Sequence, residues 1–402
     1  MAKKKNTRQP KPTAKSGINP NTQQKAKATP KVAPKAKSKE GFEPLQYLVH
    51  LYLTLMLSIQ FTPLLNALDS NITKWWFLTL VNGLFWALML INRNKEEWKL
   101  NTTLLNQWSV YIFSGLLAVA TISFAFVINY GEAFLGWIRL LMMFSILLSY
   151  IVILDKKPEI IEFVTRLVIA LLLVDGIKFL SDYFDKVYGT GESINLARSY
   201  YNNKNQVATT HLLKLPFALY VLMTSKRIEW RVLAGLALSS AFMVFGLLIT
   251  RAAYVALFVS IISFPIAYFI TPSKNSTAKG FIKTGIITYL VVLGVGFGLA
   301  QIIQLSDTER KTNKLKGSSV AESLAADKLT SGSDMRIHMW KSSFGVIKDH
   351  PLGVGVNNWK VVFPEYDRGF FLNGKTAPRR AHNDPIQVTT ELGVLGGLLF
   401  VA

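Results

Sequence analysis

Residues 232–270 read VLAGLALSSAFMVFGLLITRAAYVALFVSIISFPIAYFI. Two apolar blocks, 232–249 and 254–270, are separated only by Thr250, Arg251, Ala252 and Ala253. Each block has about the 20 residues needed to cross a bilayer core as a helix. The stretch therefore reads as two membrane helices joined by a turn of almost no length.

Outward from it, apolar blocks of similar length recur at 45–68, 75–91, 104–128, 134–154, 160–180, 207–223 and 286–303, and a last one begins at Pro385. Half of the 402 residues are hydrophobic and 17% are charged. A soluble chain of this length would present a larger charged surface. The expectation is an all-α polytopic membrane protein of about ten or more transmembrane helices. The last block has only about 18 residues and no polar flank, about the minimum for a span. It reads as the start of a helix in a longer chain.

The net charge of +21 is unevenly spread. Residues 1–39 hold twelve Lys or Arg and no acidic residue, whereas the remainder holds 33 basic and 24 acidic residues, or +9. With no apolar periodicity, residues 1–41 are expected to be a disordered basic cytoplasmic tail. Three readings compete for it: a solvated tail that helps fix topology, a contact with anionic lipid headgroups, and nonspecific contact with RNA. No specific nucleic-acid partner is expected. There is no cysteine, which excludes disulfides, thiolate metal sites and cysteine nucleophiles.

With the tail inside, the Lys/Arg-rich loops at 93–99, 155–157, 225–231 and 272–283 all fall on the cytoplasmic side, as the positive-inside rule requires. The segments 181–205, 250–251 and 304–381 then fall outside, the last as a long loop. Within it, Ser331-Gly332-Ser333-Asp334 resembles a helix start. Ile337, Trp340, Phe344 and Ile347 follow at spacings of three and four, one apolar face of a surface helix near 334–349. Arg336 and Lys341 lie on its polar side. Gly353 and Gly355 read as turn residues.

Three pieces of polar chemistry share the outer face. Arg251 is either a snorkelling arginine or an anion contact. Asn203 and Asn205, with Arg198 nearby, are either a polar turn or a binding segment. The third piece is the run Arg379-Arg380-Ala381-His382-Asn383-Asp384-Pro385. Pro385 suits the first turn of a helix. His382 delivered to the mouth of an apolar segment is either an interfacial cap or a functional group. Glu391 lies nine positions on, with Gln387 between them.

The sequence His382-Asn383-Asp384, then Gln387 and Glu391-Leu392-Gly393, resembles the signature of the O-antigen ligase and O-antigen polymerase family. So do Thr250-Arg251-Ala252, Asn203-Lys204-Asn205, and the block Arg336, Trp340, Asp349-His350-Pro351-Leu352-Gly353-Val354-Gly355. The resemblance implies a GT-C-like inner-membrane enzyme that moves a glycan from an undecaprenyl-diphosphate donor to a sugar hydroxyl outside. The acceptor would be lipid A-core or another glycan. Ligase, polymerase and protein O-oligosaccharyltransferase share the pattern.

It implies His382 as the base. A neutral histidine suits proton removal near pH 7, and no other histidine stands in a polar outer loop entering a span. Arg251 and Arg336 would neutralise the leaving diphosphate, with Arg198, Asn203, Asn205, Arg380, Asn383 and Glu391 as substrate contacts. No outer Asp-x-Asp pair or histidine pair stands at metal-ligand spacing, so no metal or cofactor is expected. The competing reading is a transporter using an intramembrane pair of Asp175 and Lys178.

Overall fold

The computed structural model describes residues 44–62, 70–95, 105–154, 158–201, 203–248, 250–270, 276–307, 326–371 and 378–402. The tail at 1–41, Pro63, the turn at 155–157, and residues 96–99 and 272–275 of the basic loops lie outside the described residues, whereas 276–283, expected as loop, are helical. So do residues 308–325 and 372–377 of the long loop.

Every regular element among the described residues is helical. In order these are α1 (Pro44–Leu57), α2 (Ser70–Ile91), α3 (Trp108–Ile122), α4 (Tyr130–Ile153), α5 (Pro158–Lys186) and α6 (Lys204–Thr224). They continue with α7 (Ile228–Leu248), α8 (Arg251–Ile270), α9 (Ser276–Ser306), α10 (Ala326–Asp349), α11 (Trp359–Tyr366) and α12 (Asp384–Val401). Six of them are long and apolar enough to cross a membrane: α2, α3, α4, α6, α7 and α9.

Helix α7 is the packing centre, enclosed by α5, α6 and α9. Its residues Ala237, Leu238, Ala241, Phe242, Val244 and Phe245 are fully buried. Small residues let the backbones close up, as lipid-embedded helix pairs require. A Cβ on Gly296 of α9 would stand 2.6 Å from the Ser239 carbonyl oxygen, and one on Gly176 of α5 would stand 2.6 Å from Ser240 Oγ.

A second core joins α1, α2, α4 and α5 through Tyr52, Leu53, Phe85, Ile153 and Ile160. Inside it Asn82 accepts from Tyr52 Oη at 2.9 Å and from Ser149 Oγ at 2.8 Å, and donates to Ser145 Oγ at 2.8 Å. These bonds satisfy an amide that would otherwise be buried without partners.

Several expected boundaries are corrected. The first apolar block was expected to be helical over 45–68, but α1 stops at Leu57 and a 3-10 turn, Ile59–Phe61, follows. The polar break expected at 181 begins later, because α5 continues to Lys186. Lys178 and Lys186, each four positions from Asp182, both donate to its Oδ1 at 2.7 Å and carry the helix forward.

That same ladder overturns the expected Asp175–Lys178 pair. Lys178 is engaged by Asp182, and the fully buried Asp175 is ion-paired instead with Lys214 of α6. Tyr201 Oη completes this cluster, its single proton within reach of Gln60 Oε1 at 2.7 Å and Asp175 Oδ2 at 3.0 Å.

The surface helix begins at Ala326, not near residue 334. Its buried face is also not the expected one. Met339, Ser342, Ser343 and Val346 turn inward, while Ile337 and Phe344 are 40% and 58% exposed. The reason is Ser343: its Oγ accepts from the buried Trp359 Nε1 at 2.8 Å and donates to the Met339 carbonyl at 2.8 Å. A polar residue therefore sits at the centre of the packed face. Met339, Trp359, Phe363 and Ala381 form the small core that joins α10 to α11 and to the segment before α12.

Candidate functional site

Residues 350–358 and 378–391 meet at one end of the bundle, and the meeting point is a break in α12. Gly393 has φ 73° and ψ −177°, so the helix kinks there and two carbonyls lose their helical partners. The turn after α10 supplies replacements. Val354 N–H donates to the Thr390 carbonyl at 3.1 Å, Gly355 N–H to the Glu391 carbonyl at 2.9 Å, and Val394 N–H to the Pro351 carbonyl at 3.2 Å. Gly353 and Gly355 have φ of 91° and 96°, the turn conformations expected of them. Their closeness leaves no room for side chains: a Cβ at Gly353 would lie 2.4 Å from the Glu391 carbonyl oxygen.

The buried Glu391 links this joint to the histidine loop. Its Oε2 accepts the Asn357 N–H at 2.7 Å, and its Oε1 accepts Gln387 Nε2 at 3.0 Å. Gln387 Oε1 in turn accepts the Ala381 N–H at 3.2 Å, and Trp340 Nε1 donates to the Ala381 carbonyl at 3.0 Å. Ala381 is thus fixed on both backbone sides. The next residue, His382, adopts φ 54°, an uncommon conformation for a side-chain-bearing residue. Asn383 caps α12, its Oδ1 accepting the Ile386 N–H at 3.2 Å, and Pro385 fills the first turn.

His382 is exposed, as are Arg336 and Arg380. Its pKa is lowered from the ordinary 6.5, first by partial burial and then by the charges of Arg336 and Arg380, with Asp384 opposing. The imidazole is therefore held neutral at pH 7 beside two cations. Among the described residues, neither Arg336 nor Arg380 is in an ion pair.

The surroundings extend to the amino-terminal half. Asn358, fully buried, accepts the Asn129 N–H at 2.8 Å, and Asn357 Nδ2 donates to Glu132 Oε2 at 2.9 Å. Lys360 pairs with Glu132 at 2.7 Å. The α3–α4 turn is in this way fastened to the site. Arg139 of α4 lies over the Trp75 ring at 5.8 Å, and Lys74 donates to the Tyr200 carbonyl at 3.1 Å. These contacts place the turn at 193–203 at the same end of the bundle as His382.

The structure therefore brings together His382, Arg336, Arg380, Asn383 and Glu391. Arg198, Asn203 and Asn205 share that end, but among the described residues no hydrogen bond or ion pair joins them to the histidine loop. Asn203 Oδ1 is occupied as the cap of α6, accepting the Asn205 and Gln206 N–H groups at 3.0 Å each. Arg251 opens α8, and its side chain lies outside the described residues. Asn357 and Asn358 were missed by sequence reasoning. Their position straight after Gly353-Val354-Gly355 was the available signal.

No curated protein and no solved structure matches the chain. Residues 212–401, which include Arg251, Arg336, both glycine turns and the His382 loop, match the sequence model of the O-antigen ligase family, and this match supports assigning the chain to that family.

Proposed function

We propose that this protein transfers a glycan from an undecaprenyl-diphosphate donor to an acceptor hydroxyl, at the end of the bundle that carries His382. Glycosyl transfer of the O-antigen ligase or polymerase type is what the family provides. The single observation that carries the finer reading is an exposed histidine, kept neutral by partial burial and by the nearby charges of two arginines that make no ion pair among the described residues.

The acceptor hydroxyl gives its proton to His382 as its oxygen bonds to the anomeric carbon. The bond from that carbon to the diphosphate breaks, and its electron pair leaves with the phosphate oxygen. Arg336 and Arg380, with Arg251, meet the charge that develops there. A single displacement of this kind inverts the anomeric centre and needs no metal. First choice for the acceptor is lipid A-core, as in a lipopolysaccharide ligase; the alternative is another glycan, as in a polymerase. In this reading α1 together with the following 3-10 turn at Ile59–Phe61, and α5, α8 and α12, add to the six apolar spans, and the His382 end faces the periplasm of a bacterial inner membrane.

The test is purified full-length protein with labelled undecaprenyl-diphosphate glycan and an acceptor extract, with and without EDTA. The reading predicts equal release of free lipid diphosphate in both and an inverted product anomer. Retention of configuration, or loss of release in EDTA, would refute it.

A further inference from the structure

The opposite end of the bundle holds a cavity that the transfer chemistry does not use. It has a volume of about 560 Å³ and lies where the start of α5 meets the α6–α7 turn. Arg166, Lys226 and Arg227 line it together with Glu162, Tyr220 and Trp230. Helix α6 separates it from the Asn203 end by 21 residues, about 30 Å at 1.5 Å per residue.

Its chemistry is two-part. Trp230, Tyr220, Ile161 and Val221 supply an apolar wall, and three cations stand against one carboxylate. Arg166 is ion-paired with Glu162 and also lies over the Trp230 ring at 5.0 Å. Lys226 and Arg227 are exposed and, among the described residues, make no ion pair. Two membrane-length helices, Lys204–Thr224 and Ile228–Leu248, turn at this cavity, so its height is that of a bilayer boundary. The volume is within the range of small-molecule sites.

We infer that this cavity binds one anionic phospholipid, its phosphodiester held by Arg227, Lys226 and Arg166 and its acyl chains laid along Tyr220 and Trp230. A soluble phosphate would use the cations and leave the apolar wall uncovered. A zwitterionic lipid would bring its own cation against Lys226 and Arg227. Basic pockets between helices at a membrane boundary select acidic headgroups by this charge match. The inference does not depend on the glycan-transfer reading, because the residues belong to the other end.

Full-length protein in detergent is titrated with phosphatidylglycerol, phosphatidylcholine or inorganic phosphate and read by native mass spectrometry. Photoactivatable phosphatidylglycerol maps the site. Wild type is expected to hold one phosphatidylglycerol in preference to phosphatidylcholine, to label on peptides containing Tyr220 or Trp230, and to resist competition by inorganic phosphate.

Arg227→Gln with Lys226→Gln should weaken binding about thirtyfold, taking about fivefold per basic residue. Thr224→Glu, a change at an exposed lining position, should weaken it comparably without touching the interior. The basic amino-terminal residues are common to all variants, so any tail binding cancels. Equal affinity in wild type and both variants, equal binding of phosphatidylcholine, displacement by inorganic phosphate, or no labelling of peptides containing Tyr220 or Trp230 would each overturn the inference.

Discussion

Replacing Gly393 with alanine is the most direct way to open the joint between α12 and the turn at 351–355. Gly393 holds φ 73° with ψ −177°, a region that side-chain-bearing residues do not enter without about 1–3 kcal/mol of strain. The new Cβ would stand 2.6 Å from the Leu352 carbonyl carbon and 2.7 Å from the Pro351 carbonyl oxygen, both backbone atoms. Relief requires the two segments to part. That breaks the bonds from Val354, Gly355 and Val394 at 3.1, 2.9 and 3.2 Å, each contributing about 1 kcal/mol net. Together the joint loses roughly 4 kcal/mol or more, about a thousandfold in its closing equilibrium. Hydrogen exchange at the Val354, Gly355 and Val394 amides should accelerate by about that factor, and glycan release should collapse with it. Gly298→Ala is the control, since nothing lies within 4 Å of its added Cβ. Unchanged exchange at those three amides in a normally inserted Gly393→Ala protein would refute this account of the joint.

Three further outcomes follow from the same geometry. Gln387→Leu leaves the Ala381 N–H and Glu391 Oε1 without their partner. It should lower kcat at least tenfold with little change in KM, because it mispositions His382 without touching the donor. The pH profile should report the lowered pKa of His382. Protonation removes the base only below the usual value of 6.5, so activity persists into mild acid, and Arg380→Gln should move the acid limb upward. Asp175→Asn leaves Lys214 facing a neutral partner in the buried cluster with Gln60 and Tyr201. Thermal unfolding in detergent should show a loss of about 3–5 kcal/mol, with glycan transfer affected only as far as folding is.

Much of the fold was legible as apolar blocks, because the period and length of a membrane helix are local properties. The places where local reading failed are those where a distant partner decides. Asp175 pairs with Lys214, thirty-nine residues on, instead of the neighbouring Lys178. Ser343 hid the packed face of α10, since its hydroxyl is paired with Trp359 of another helix. Likewise α5 outran its apolar block because a lysine–aspartate ladder continued it.

In the site, His382, Arg336, Arg380 and the glycine turns stood out by residue type and spacing. Glu391 could be named but not given a role until Gln387 was seen to bridge it to Ala381. Nothing in the sequence alone shows that the backbones at 353 and 393 touch.

The central claim is that His382 takes the acceptor proton. The measurement is the rate of free lipid diphosphate release from labelled undecaprenyl-diphosphate glycan by His382→Ala, at wild-type membrane levels and with intact Val354 and Gly355 amide protection. Removal of a general base predicts a fall of about a hundred- to ten-thousandfold. A rate within a few-fold of wild type would contradict the account.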